Sequence, residues 1–382
     1  MPAGYRLAEL LPLRGCRGRG GYPVDWSVSC NIDSGAGAGT ERLVKVAVSH
    51  QAWHRDGGLR IVNESHRNIL HGIGDTSLLA LRNIVPENGS RLLLKLESEN
   101  PTGSMKDRMA LAMVEAAEAD GRLQAGGSVV EYTAGSTGVS LSLVCAVKGY
   151  PVHIVTSDAF AREKLDHMEF LGAKLEIVPS DGGRMTEKIT RDMIEAAAVL
   201  AKKPGSFWTD QLNNTDQLAA YHRMGEEIWT QTDGKIDGFV QSVGTAGSVR
   251  GVGDALRRHN EQIQIVAVEP SESAVLSGGP SGSHKIDGVG AGFVVPLWRD
   301  DIADRIEQVS TEESVAMAVR LAREEGLFAG TSTGSNVIAA LRLAEQLGPD
   351  ATVVTIMCDT GMKYFSTDLY QAYTTSRGAE EV

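Results

Sequence analysis

The chain has 382 residues, 42% apolar, 23% charged and 5% aromatic. That is enough to bury a core in two domains, or in one large domain with an appendage, and too apolar for a disordered or collagen-like protein. Lys and Arg number 37 against 49 Asp and Glu, a net charge of −12, and an acidic surface repels phosphate backbones and anionic lipid, which argues against nucleic acid and membrane as partners. Glycine is in excess, at 43 residues or about 11% against a usual value of roughly 7%. Cys16, Cys30, Cys145 and Cys358 are far apart with no C-x-x-C pair, so a reducing cytoplasm is expected rather than a disulfide framework or a zinc ribbon. The apolar stretch Leu7 to Leu13 is broken by Glu9 and Pro12 and is too short for a signal or membrane helix.

Residues 1–68 form a weakly basic, glycine-rich lead with no sustained period, read as an irregular and poorly ordered extension. His50 and His54 are four apart within it, without an acidic or thiol partner, and no metal site is expected. From Arg91 the punctuation becomes regular. Strands are predicted over Arg91–Glu97, Ser128–Tyr132, Pro151–Thr156 and Lys174–Val178, with helices over Asp107–Asp120, Gly138–Lys148 and Ala161–Leu171. The alternation resumes with strands Ile236–Val243, Gln262–Val268 and Ala351–Met357 and helices Gly247–His259, Glu312–Glu325 and Asn336–Leu347. Such a pattern implies an α/β protein of doubly wound parallel sheets, with ligands outside the carboxyl ends of the strands.

The surplus glycine gathers at strand-to-helix junctions. Thr133-Ala134-Gly135-Ser136-Thr137-Gly138 and Gly244-Thr245-Ala246-Gly247-Ser248 each follow an apolar strand and open a helix, where free backbone N–H groups and the helix dipole favour an anion. Either loop alone also fits an ordinary tight turn; together they suggest a ligand with two anionic ends. In Asn100-Pro101-Thr102-Gly103-Ser104-Met105-Lys106-Asp107-Arg108, Ser104 is a natural N-cap, and it puts Lys106 in the first helical turn. There the dipole would lower the amine's pKa and prepare it for Schiff-base chemistry; a solvated surface lysine is the ordinary alternative. Gly330-Thr331-Ser332-Thr333-Gly334 spells G-x-S-x-G, but a hydrolase elbow needs a later histidine and the last one is His284. A third Gly/Ser/Thr turn lining a pocket is the better account.

Together these segments resemble the cysteine synthase (O-acetylserine sulfhydrylase) and cystathionine β-synthase family, the fold-type II, tryptophan synthase β-like enzymes that use pyridoxal 5′-phosphate (PLP). Asn100–Arg108 is similar to the family's Schiff-base lysine motif, Thr133–Gly138 to its substrate-carboxylate loop and Gly244–Ser248 to its phosphate loop. Gln211 stands where a glutamine lies beside the substrate. Glu269-Pro270, Val275–Gly279 and His284–Phe293 resemble a long signature ahead of the last helices, and Asp359–Tyr364 the turn whose hydroxyl meets the pyridine nitrogen. The pieces run in the family's order from about Ile73 to Thr367.

The resemblance implies that Lys106 holds PLP as an internal aldimine and removes the substrate α-proton. It gives the cofactor phosphate to Gly244, Thr245, Ala246, Gly247 and Ser248, and the substrate carboxylate to Thr133, Ala134, Gly135, Ser136, Thr137 and Gln211. Thr360 would meet the pyridine nitrogen; were Asp359 to do so, transamination or racemisation would be favoured. Ala134 and Ser136 depart from the family's usual Ser and Asn, and Ser136 would replace an asparagine that contacts the cofactor's phenolic oxygen. The implied activity is β-replacement, in which an O-activated serine gives an aminoacrylate that adds sulfide or another small nucleophile. A β-eliminating lyase, such as a serine/threonine deaminase or cysteine desulfhydrase, and a catalytically silent regulatory module are the alternatives. The expected architecture is a large PLP-binding domain of 69–97 and 213–373, a small mobile substrate domain of 98–212, and a tail at 374–382, in a cytoplasmic homodimer.

Overall fold

A computed structural model describes residues 68–180, 186–367 and 370–371. The lead through residue 67, with Cys16, Cys30, His50 and His54, and the tail from 372 lie outside the described residues. In chain order the elements are β1 (Leu78–Ala80), β2 (Arg91–Leu96), α1 (Lys106–Asp120), β3 (Ser128–Tyr132), α2 (Ser136–Lys148), β4 (Val152–Ser157), α3 (Arg162–Phe170) and β5 (Lys174–Val178). Next come α4 (Glu187–Ala201), β6 (Ser206–Trp208), α5 (Gln217–Gln231), β7 (Gly238–Ser242), α6 (Gly247–His259) and β8 (Gln264–Pro270). The described chain closes with β9 (Arg305–Val309), α7 (Thr311–Arg320), α8 (Thr331–Leu347) and β10 (Thr352–Met357).

Two sheets result. One has the order β5-β4-β3-β6, parallel throughout, and the other the order β1-β2-β10-β7-β8-β9, in which only the β1–β2 pair is antiparallel. The α/β reading therefore holds, with an antiparallel edge strand added. β7 and β10 are buried along their whole length, as expected of central strands covered on both faces. Alternation in β2 shows the two coverings: Leu92 and Leu94 join the core under α8, with Val337, Ala340 and Leu343, while Leu93 points into the core shared by α1, α5 and α6.

Helix α1 ties the two sheets together. Met105, Met109 and Met113 recur at four-residue intervals in the larger core, and Ala110, Val114 and Ala117 turn toward the core around β3, β4 and α2. Its first residue, Lys106, thus sits where the sheets meet.

Five elements fall outside the predicted set: β1, α4, β6, α5 and β9. The predicted helix Glu312–Glu325 ends at Arg320 and continues as a π-turn over Leu321–Glu325. The predicted helix Asn336–Leu347 starts five residues earlier, at Thr331. That shift moves the whole Thr331-Ser332-Thr333 run from a connecting loop onto the first turn of α8.

Candidate active site

Helices α1, α2, α6 and α8 all begin at N-cap residues whose side chains make no capping bond, which leaves first-turn donors and the positive dipole ends for a ligand. At α1, Ser104 is not the N-cap as predicted. Met105 occupies that position, and Ser104 Oγ accepts weakly from the Lys106 N–H at 3.3 Å. Burial lowers the Lys106 pKa; Cys358 and Asp359 oppose the shift and Lys164 adds to it. Among the described residues no hydrogen bond or ion pair occupies its amine.

The Thr133–Gly138 loop is built around two close approaches. Gly135 has φ of 131° and any Cβ there would run into the Lys164 side chain; Gly138 is pressed against Met168 and Thr133. Thr133 Oγ1 accepts from the Gly135 N–H at 3.0 Å. The Thr137 hydroxyl donates to Gln211 Oε1 at 2.8 Å, and Gln211 Nε2 donates to the Tyr132 carbonyl at 2.8 Å, so residues 74 positions apart in the chain meet. Glu131 anchors the arrangement by accepting from the Gln211 N–H and the Thr209 hydroxyl. Burial pushes its carboxyl up to about 8 against those donors.

In the Gly244–Ser248 loop, Ala246 adopts the left-handed conformation, φ 68°, at a cost of about 1 kcal/mol for a residue with a Cβ. Thr245 donates to Gln217 at 2.8 Å and accepts from the Gly247 N–H at 3.2 Å. A Cβ on Gly244 would approach the Gly288 carbonyl to 2.5 Å. The result is a tight cradle in which the Gly247 N–H is held by Thr245 while the next N–H groups of α6 make no side-chain bond among the described residues, which fits a phosphate.

Thr360, expected at the ring nitrogen, serves as the cap of a turn. Its hydroxyl accepts from the Met362 N–H at 3.3 Å as the cap of a 3-10 turn over Gly361–Tyr364, and its methyl lies against Gly103. Two further groups bear on the surroundings of Lys106, Asp359 through its charge and Ser332 through Cys358. Asp359, 4% exposed, accepts from the Tyr364 hydroxyl at 2.6 Å and from the Ser136 hydroxyl at 3.2 Å. Ser332, also 4% exposed, lies within hydrogen-bonding reach of the Cys358 thiol. The G-x-S-x-G run was a signal for Ser332, once its helix is known to start at Thr331.

Behind the amine, a buried ion cluster holds α1. Arg108 makes paired bonds to Glu97 at 2.7 and 2.8 Å and to Glu227 at 2.8 and 2.7 Å, and Lys95 reaches Glu227 at 2.8 Å. Burial alone would raise the Glu227 pKa, but the Arg108 hydrogen bonds and charge, with Lys95, bring it down to about 2. Because that value is depressed, the contribution of about 3 kcal/mol is present above about pH 4.5 and is lost as pH falls toward 2. Urea unfolding across that acid window is expected to show the loss in the native protein and a flatter profile in Glu227→Gln.

The family of pyridoxal-phosphate dependent enzymes matches residues 69–359. The chain belongs to that family. A cysteine synthase of Staphylococcus aureus (strain Mu50 / ATCC 700699) is 39% identical over 305 residues, 79% of this chain and 96% of that one. Among solved structures, a cysteine synthase of Entamoeba histolytica superposes with a TM-score of 0.75 at 36% identity, covering 82% of this chain and 94% of that one. An O-acetylserine dependent cystathionine β-synthase of Helicobacter pylori gives 0.74 at 31% identity, covering 79% and 98%. The chain is thus a PLP-dependent enzyme of the cysteine synthase and cystathionine β-synthase group, and its chemistry is β-replacement. Among the described residues no helix is long and apolar enough to cross a membrane, and no cluster suits a metal ion.

Proposed function

We propose that the enzyme replaces the acetoxy group of O-acetylserine with sulfide, forming cysteine, with Lys106 as its cofactor-binding lysine and base. The observation that carries this is the linkage of Lys106 with both loops: Ser136 bonds Asp359, whose charge acts on Lys106, and Gln217 joins Thr245 to Gln211, the partner of Thr137. PLP, when bound, supplies an electron sink for bonds at the amino-acid α-carbon. The backbone of Gly244–Ser248 binds its phosphate. The loop Thr133–Thr137 and Gln211 bind and orient the substrate carboxylate, and Lys106 moves the α-proton. For the ring nitrogen we favour Ser332 over Thr360, because Ser332 is buried beside Cys358, whose charge acts on Lys106. A neutral hydroxyl there weakens the sink and favours prompt loss of the β-substituent.

The same reading takes residues 98–212 as a substrate lobe closing on the rest to exclude water, in a cytoplasmic homodimer whose state light scattering would check. Product analysis tests the function: cysteine formed only with sulfide present supports it, and pyruvate released without sulfide opposes it. Gln211→Ala removes a hydrogen bond to a charged group, worth about 1.5–3 kcal/mol. It is expected to raise KM for the amino acid by roughly tenfold or more, read from steady-state kinetics, with Lys106 chemistry intact.

A further inference from the structure

We propose that Asp359, acting through Ser136, takes the proton that the incoming amino acid must shed from its α-ammonium group. This rests on the reading above and names a step that Lys106 alone leaves unserved. A carboxylate held on the Thr133–Thr137 loop keeps its α-nitrogen two bonds away, beside Ser136 at the start of α2. An amino acid arrives as an ammonium ion and cannot react as a nucleophile until that proton leaves.

The geometry supplies the path. Ser136 donates to Asp359 Oδ2 at 3.2 Å, so the hydroxyl proton is committed inward and only lone pairs remain to face an arriving N–H. The substrate N–H bond breaks as an O–H bond forms at Ser136 Oγ, and the Ser136 proton passes to Asp359 Oδ2; a neutral amine and a neutral carboxyl result, with no other reactant. Tyr364 fixes the acceptor without competing for the proton. Its hydroxyl donates to the same oxygen at 2.6 Å, and burial, followed by the Asp359 charge, raises the phenol well above its usual pKa. The second carboxylate oxygen, Oδ1, is enclosed against Gly330 with no hydrogen-bond partner among the described residues, so Asp359 has capacity to spare. The other titratable groups facing this carboxylate are Lys106 from α1, Cys358 and Lys363 from its own segment, and Tyr370.

The test follows the visible absorbance of the bound cofactor after mixing holoenzyme with L-alanine, which has no β-leaving group, across neutral to alkaline pH. Asp359→Asn is expected to slow the response by about 10²-fold at neutral pH and to regain it at alkaline pH, where free amine exists in solution. Ser136→Ala should show the same signature with Asp359 in place, and it decides the matter if Asp359→Asn fails to bind cofactor. An unchanged pH profile in these variants overturns the relay, as does a loss that is equal at every pH, because that would mark a merely structural role. A native holoenzyme that forms no cysteine from O-acetylserine and sulfide overturns the proposed function. A native enzyme that responds while the variants match its profile overturns the relay alone.

Discussion

Lys106→Ala is expected to lower kcat for cysteine formation by at least ~10³-fold and to change the visible spectrum of the PLP-loaded protein, with little loss of stability. The size follows from losing the proton-transfer group and the covalent tether together. Stability should change little because the amine makes no hydrogen bond among the described residues and its loss relieves a desolvated site. Steady-state kinetics, the absorption spectrum and urea unfolding, run on one preparation, separate these effects. Retention of both the spectrum and the rate would remove Lys106 from its role.

Arg108→Met is expected to cost about 3–5 kcal/mol of stability in urea unfolding at neutral pH, because it strands the buried carboxylates of Glu97 and Glu227 with only Lys95 and, at 3.7 Å from Glu227, the exposed Arg223 as cations among the described residues. The comparison that gives the number meaning is Arg122→Met. Arg122 also bonds two carboxylates, Asp120 and Asp216, but its side chain is 43% exposed, and such pairs are worth about 0–1 kcal/mol. Similar losses in both variants would show that burial is not what gives the Arg108 cluster its weight. Since Arg108 lies two residues beyond Lys106 on α1, the cluster also sets where the amine stands.

What the sequence revealed follows from how local each feature is. The two glycine-rich loops and Lys106 were legible because a strand, a tight turn and a helix start lie within a dozen residues and impose their own residue types. Helices α4 and α5 carried comparable signals, with Ile189, Met193 and Ala197 at four-residue spacing in α4, and went unassigned. β6 has three residues, too few for a period, and β9 is an edge strand in which Arg305, Glu307 and Gln308 dilute the apolar pattern. The Ser136–Asp359–Tyr364 chain was not legible, since Ser136 and Asp359 are 223 residues apart and meet only through tertiary packing. Thr360 illustrates the same limit. A neighbouring pair, Asp359-Thr360, presents one side chain to the site and the other to its own turn, and only the backbone path decides which.

The central claim is that Lys106, and no other buried lysine, carries the cofactor. Lys363 is the serious rival, because its amine is buried without a partner and burial brings its pKa down to about 8 despite the nearby Asp359 and Asp107. Borohydride reduction of the PLP-loaded protein, followed by peptide mass spectrometry, decides between them. The expected result is a single cofactor adduct on the peptide containing Lys106; an adduct on Lys363 or Lys164, or none on any lysine, would contradict the account.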